Sequence, residues 1–243
     1  MSNRADAGAE AMATSERMKT LMRAKAHAKA LTAKGEHETT DGSRHSVEPG
    51  VTESIIAAWP EGPKMAAQAL VARYGAPNEA TPTKLFWYNN GPWKRTELTS
   101  DMLVHNFPTP HVDFLTQWID YRVPLERLSD IARYDGSCLV DRTAGEAGAR
   151  CDSEAANIVT LNFMHEIVTG QKAVDEAREA YAESLTAYTM GRPAPHSERL
   201  LFDVPSRGSE DPDEDMGMAP MVRQAAGKVK DALTGEAPPP ADR

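Results

Sequence analysis

Phenylalanine, tryptophan and tyrosine are missing from residues 1–50 and from residues 203–243, while most of the tryptophan and phenylalanine lies between 83 and 151. Burial of large apolar side chains offsets the entropy of ordering a chain, and segments without them do not hold a core of their own. The sequence therefore divides into three parts. Residues 1–50 read as a disordered, basic helical arm, residues 51–202 as a single α+β domain, and residues 203–243 as an acidic, proline-rich tail with a short amphipathic helix. A domain of about 150 residues buries most of its apolar surface unaided.

Charge narrows the function classes. The formal net charge is −9, and the acidic excess sits in the middle and the tail: the arm carries 8 basic and 7 acidic residues, the middle 14 and 20, the tail 5 and 9. An acidic core is unsuited to a broad duplex-binding face, which needs clustered Lys and Arg to displace counterions, so no specific nucleic-acid partner is expected. No run approaches the ~20 apolar residues of a membrane span, and the first residues lack the apolar stretch of a signal peptide. Two cysteines, Cys138 and Cys151, make no disulfide scaffold. The expectation is a cytoplasmic protein without a transmembrane segment.

Periodicity and turn chemistry predict an antiparallel sheet of two hairpins plus a third-strand segment, packed by helices, with disordered or loosely helical tails. In the arm, Thr14 or Ser15 caps a helix over 14–34 that Gly35 ends; Met18, Leu21, Ala24, Ala28 and Leu31 form a narrow stripe among basic faces. Helices over 52–59 and 63–74 open the domain. The strand 84–88 is apolar on both faces, Leu85 and Trp87 against Phe86 and Tyr88, as in a strand covered on both sides. Asn89-Asn90-Gly91-Pro92 is a turn. Pro92 lacks the N–H that a closing pair would need, so a four-residue loop is expected, with Tyr88 opposite Trp93.

The returning strand should end near Thr99, followed by an ordered loop over 100–112 and a third strand over 114–123. Pro124 opens a helix to Tyr134. The second hairpin, 137–143 with 146–151, turns at Ala144-Gly145, which sets Cys138 opposite Cys151 in a close, non-hydrogen-bonded pair. Residues 152–169 form a central packing helix, apolar around much of its circumference. A charged helix covers 174–188, and 220–233 carries the amphipathic stripe of the tail.

Several strings stand out: NNGPWKRT at 89–96, HNFPTPH at 105–111, DYRVP at 120–124, DGS at 135–137, ARCD at 149–152 and IVTG at 167–170. On these the chain resembles a widespread family of uncharacterised bacterial proteins, over roughly residues 59–188. The resemblance implies a bacterial domain of unknown function and attaches no activity, cofactor or catalytic residue. The stretch AGKVKDALTG at 226–235 is similar to short helical repeats of bacterial general-stress proteins.

Chemistry is sparse. His105, His111 and Asp113 share one segment, where two histidines and a carboxylate could hold a divalent metal or serve as a base, with His165 and Glu166 as further ligands. The favoured assignment is histidines bonding backbone carbonyls, with no metal and no cofactor. Cys138 and Cys151 are small buried side chains or a redox pair, and the helix start after Cys151 would lower its thiol pKa and make it the more reactive of the two. Trp93 and Arg95, next to the turn, could form an aromatic-polar platform for a ligand, with Trp93 partly open.

Three functions follow. The first is a non-catalytic cytoplasmic binding or stress-associated module, with a protein partner engaged through the tails. The second is an enzyme using His105, His111 and Asp113, or Cys151. The third is attachment to an anionic surface through residues 14–34.

Overall fold

The apolar alternation between Glu79 and Cys151 forms a six-stranded, wholly antiparallel sheet in the computed structural model, which describes residues 14–34, 45–206, 208–211, 213, 214 and 217. Two units separate by contacts, Met1–Arg44 and His45–Arg243. In the first, α1 (Thr14–Lys34) has the expected bounds and exposes Met18, Leu21 and Met22. The expected helix at 220–233 and the Pro-rich end lie outside the described residues.

The second unit runs α2 (Pro49–Ala57), α3 (Glu61–Tyr74), β1 (Glu79–Ala80), β2 (Lys84–Asn90), β3 (Trp93–His105) and β4 (His111–Asp120). A 3-10 turn at Leu125–Arg127 then leads into α4 (Leu128–Tyr134), β5 (Cys138–Asp141), β6 (Glu146–Cys151), α5 (Glu154–Val168), α6 (Val174–Thr189) and α7 (Pro195–Glu198). Strand order is β1-β2-β3-β4-β6-β5. Proline at its first position starts α2 three residues before the expected Thr52. The compact unit also extends past 202, because Val204 packs on the core and Ser209 is buried.

Leu85, Trp87, Leu98, Leu115, Ile119, Ala147 and Ala149 line one face of the sheet and are buried. Ile56, Trp59, Ala67 and Leu70 of the α2–α3 layer cover the β2–β3 side of this face. The other side packs under Ile131, Tyr134, Val159, Phe163 and Tyr181 from α4, α5 and α6. Full burial of each such side chain contributes about 1.5–3 kcal/mol. As expected, α5 is the central helix: every residue from Ala155 to Met164 is buried.

A polar chain crosses between the two clusters. Asn157 Nδ2 donates to Gln117 Oε1 at 3.0 Å, Gln117 Nε2 to Glu154 Oε2 at 3.2 Å, and Tyr74 Oη to Glu154 Oε1 at 3.0 Å. Burial and the neighbouring Glu154 push the Tyr74 phenol up to about 12, so it remains a donor at neutral pH.

Both hairpins change register by two residues, and the expected faces hold except beside the first turn, where Asn89 and Trp93 leave the alternation. In the first, Tyr88 pairs with Arg95 and Asn90 with Trp93, so the loop is the two residues Gly91-Pro92. Pro92 sits inside the loop, where its N–H is not asked for, and Gly91 takes φ 67° at the first loop position. In the second, Cys138 pairs with Ala149 and Asp141 with Glu146, across a four-residue loop. Its last residue, Gly145, has φ 68°, and a Cβ there would lie 2.4 Å from the Ser209 carbonyl carbon. The returning tail thus occupies the space that a side chain at 145 would need, and Asp211 N donates to Arg142 O at 3.0 Å.

Two further expectations change. Phe86 and Tyr88 are only half-buried, because the helices lie on the opposite face and β2 is covered on one side alone. The expected loop at 100–112 is mostly strand: β3 runs on to His105 past a register shift between Leu98 and Leu103, and β4 starts at His111.

The segment after α6 is clipped to α5. Asn162 Nδ2 donates to His196 O and Arg199 O at 2.9 and 2.8 Å, and its Oδ1 accepts from Leu201 N. His165 stacks on Phe202 at 4.3 Å and meets the Tyr121 hydroxyl at 2.8 Å.

A chain of residues 45–217 should therefore melt with the full-length protein, whereas residues 51–202 should lose about 1–2 kcal/mol, roughly 3–6 °C, with the 203–211 contacts and the first turn of α2. Equal melting temperatures for the two pieces would show that these contacts contribute nothing. His165 supplies a pH test. Burial holds its pKa below the ordinary value, so the unfolded chain binds the proton more readily. Stability from this group is full above about pH 6.5 and drains as pH falls below that. His165→Gln should flatten the fall in melting temperature between pH 7 and pH 5; an unchanged slope would exclude His165 as its source.

Candidate metal centre

The continuation of β3 past Leu98 builds the site. Beyond the register shift, Leu103 pairs with Asp113 and His105 with His111, so the two histidines close the β3–β4 hairpin across its turn. Asp113 and His111 alternate with Leu115 along β4 and share its helix-facing side. Cys151, the last residue of β6, pairs with Leu115 directly. The α4–β5 turn brings Asp135 and Ser137 to the same place.

His105, His111 and Asp113 converge, with one ligand atom from each lying within 4.8 Å of the others. Asp113 is almost wholly buried, at 1% exposure, while the two imidazoles keep about a sixth of their surface open. Each side chain is held by its far end. His111 Nδ1 lies 2.8 Å from Thr109 O; the carbonyl only accepts, so the proton of a neutral ring is assigned to Nδ1 and the Nε2 lone pair faces inward. His105 Nε2 is 3.4 Å from Asp135 Oδ1, which leaves Nδ1 facing Asp113. Ser137 Oγ donates to Asp113 Oδ2 at 2.5 Å.

The inner atoms are unsatisfied. Neither His105 Nδ1 nor Asp113 Oδ1 makes a hydrogen bond, and a buried acceptor without a partner costs about 1–3 kcal/mol. Asp113 Oδ1 is nevertheless 3.0 Å from His111 Nε2, so two acceptors face each other when the ring is neutral. Cys151 Sγ lies 3.4 Å from that same nitrogen. Burial holds the Asp135 carboxyl above its usual range, against Ser137 N, which donates to it at 2.7 Å. The cluster is crowded with negative groups, and Arg150 Nε is 3.9 Å from Asp113 Oδ2.

Not every expected residue comes here. His165 bonds Tyr121, and Glu166 bonds His196 at 2.9 Å, so neither serves as a further ligand. The favoured carbonyl-bonding assignment describes one nitrogen of His111 and leaves the inner atoms unexplained. Trp93 is buried in the core at 1% exposure rather than partly open, because Asn89, at φ 52°, breaks the alternation next to the turn. Arg95 is bound to Glu97 and Glu146 at 2.7 and 3.1 Å over the Trp118 ring, which leaves no platform with Trp93. Cys138 and Cys151 do not pair, and both thiols are free.

Nor is Cys151 activated by the helix that follows it. Burial, and then the carboxylates of Asp152, Asp113 and Asp135, push its thiol far above the ordinary value. Ser137 and Asp135 were not singled out as site residues, although Asp-Gly-Ser is a recognisable turn in which the aspartate side chain accepts from the backbone two residues on. A separate cleft of about 380 Å³ lies between α2 and α3, lined by residues such as Thr52, Ile56, Lys64 and Gln68, and none of the cluster borders it.

Compared with protein-family models, curated proteins and solved structures, the chain matches none.

The register carries a direct test. Cys138 faces Ala149, which makes Cys151 at most a diagonal neighbour, about 7–8 Å away between α-carbons; disulfides usually span roughly 4.4–6.8 Å. Mild oxidation of the folded protein should leave two free thiols by mass spectrometry. A quantitative intramolecular bridge would mean that the β5–β6 register is wrong.

Proposed function

We propose that this protein is a metal-dependent binding module, holding a divalent transition ion through His105 Nδ1, His111 Nε2 and Asp113 Oδ1. One observation carries the reading: one ligand atom from each of the three side chains lies within 4.8 Å of the others, while His105 Nε2 lies beside Asp135, His111 Nδ1 beside the Thr109 carbonyl, and Asp113 Oδ2 accepts from Ser137. Metal-binding histidines are commonly oriented through their second nitrogen by a carboxylate or a backbone carbonyl, and ligating carboxylates are hydrogen-bonded in turn. Two imidazoles and a carboxylate suit zinc, iron or manganese better than calcium or magnesium, which favour all-oxygen sets. An ion there would also answer the facing acceptors, Asp113 Oδ1 and His111 Nε2.

An enzyme working through a Cys151 nucleophile has less support, since its surroundings favour the thiol over the thiolate. A second proton on His111 would satisfy the contact with Asp113 without a metal, and the test separates the two. Untagged protein should carry, or take up by titration calorimetry, about one equivalent of zinc. The double variant His105→Ala, His111→Ala should bind none. Ser137→Ala should weaken binding about 10–100-fold, as loss of a ligand-orienting group does. A wild-type protein that neither carries nor takes up a transition ion would sink the proposal.

A further inference from the structure

We infer that the open edge of β3 over residues 101–105 is a self-association surface, on which the same five residues of a second copy of this chain pair antiparallel about a two-fold axis at Leu103. Nothing in it depends on the metal reading. β2 starts at Lys84, opposite Thr99, and the bond from Ser100 N to Thr83 O at 3.0 Å extends that contact by one residue. β3 then continues to His105, paired with β4 from Leu103 onward on one side. On its other side, among the described residues, no strand accompanies it.

Unpaired donors and acceptors along a strand edge are a template for another strand, and sheets blunt their edges with short strands, Lys, Pro, bulges or a cover. The two outermost strands obey that rule: β1 has two residues and β5 four. The open stretch of β3 does not. It reads Asp-Met-Leu-Val-His, without Lys or Pro, and its register shift belongs to the ladder with β4 on the opposite side. Met102, Leu103 and Val104 are exposed, Val104 to 77%, and no other three consecutive described residues are exposed large apolar side chains. Neighbours on a strand point to opposite faces, so this apolar surface lies on both sides of the edge. A helix laid on one face would cover part of it, whereas an added strand covers both.

The match between slot and strand identifies the occupant. Thr83 and Lys84 close one end of the slot, and at the other β3 turns away into its hairpin with β4. The strand that fits is therefore short, and residues 101–105 of a second copy are bounded in the same way. About Leu103, Met102 meets Val104, Leu103 meets Leu103 and Asp101 meets His105. Apolar residues oppose apolar ones and no like charges face each other, the pairing that cross-strand neighbours favour. A two-fold interface requires this self-complementarity, since residue i meets j and j meets i. So short a ladder buries less than the ~1,200 Å² of a stable interface, which makes the dimer weak and concentration-dependent.

Sedimentation of the full-length protein over a concentration series, with a chelator present to keep the outcome separate from the metal titration, should show reversible dimers with a dissociation constant on the order of 10–100 μM. Val104→Lys should raise that constant at least about tenfold and leave the melting temperature unchanged, since Val104 is exposed in the single chain. Directly opposed residues lie about 4.5–5.5 Å apart between α-carbons, within the span of a disulfide. Leu103→Cys should therefore form an intermolecular disulfide on mild oxidation, and Asp101→Cys, which falls opposite His105, should not; both native thiols are buried. A wild-type protein that stays monomeric up to millimolar concentration would overturn the inference. Dimers that persist in Val104→Lys, or that cross-link equally through either introduced cysteine, would place the interface elsewhere and overturn it as well.

Discussion

Pairing of β3 with β4 does two jobs at once. Along one half of the ladder, Leu98 against Leu115 and Thr96 against Gln117 set the face on which both helical layers pack. Past the register shift between Leu98 and Leu103, the same two strands continue beyond the core and place His105 across from His111, with Asp113 turned inward. A bulge re-aims the side chains that follow it, and such irregularities gather at sheet edges and next to sites. Here it separates a stretch read by packing from one read by charge.

Burying Asp113 and Asp135 so close together runs against the usual preference of carboxylates for water. Two compensations are visible. Ser137 contributes its hydroxyl to Asp113 and its backbone N–H to Asp135, and His105 lies between the two carboxylates, one ring nitrogen toward each. A carboxylate pair that shares an imidazole has a cation as its natural complement. The same charges favour the thiol form of Cys151 and so work against it as a nucleophile.

Elsewhere, charge is managed by pairing. On the face of the sheet away from the helices, Lys94 reaches Asp120 and Glu146 at 2.7 and 2.9 Å, and Arg95 bonds Glu97 and Glu146 above Trp118. Half-buried and shared among five residues, this network loses less entropy per contact than isolated surface pairs, which contribute about 0–1 kcal/mol each. It accounts for basic residues that would otherwise invite an anion. Side-chain pairing thus removes one candidate site and backbone pairing assembles another.

The α+β class, the sheet faces, the central helix and the three residues His105, His111 and Asp113 were legible in the chain because local rules govern them. Apolar alternation assigns each strand residue to a face, helix periodicity marks α5, and turn residues mark where strands reverse. Register is a different matter. A shift of two residues leaves every side chain on its face, so alternation cannot distinguish Tyr88 opposite Trp93 from Tyr88 opposite Arg95, or Cys138 opposite Cys151 from Cys138 opposite Ala149; loop closure and packing decide. Residues 100–105 read as loop because Met102, Leu103 and Val104 are exposed and their pairing is specified by backbone hydrogen bonds to β4, not by burial. Convergence of Asp135, Ser137 and Cys151 on the histidines needed four chain segments to meet. Local periodicity carries no term for that meeting, and only the packed sheet supplied it.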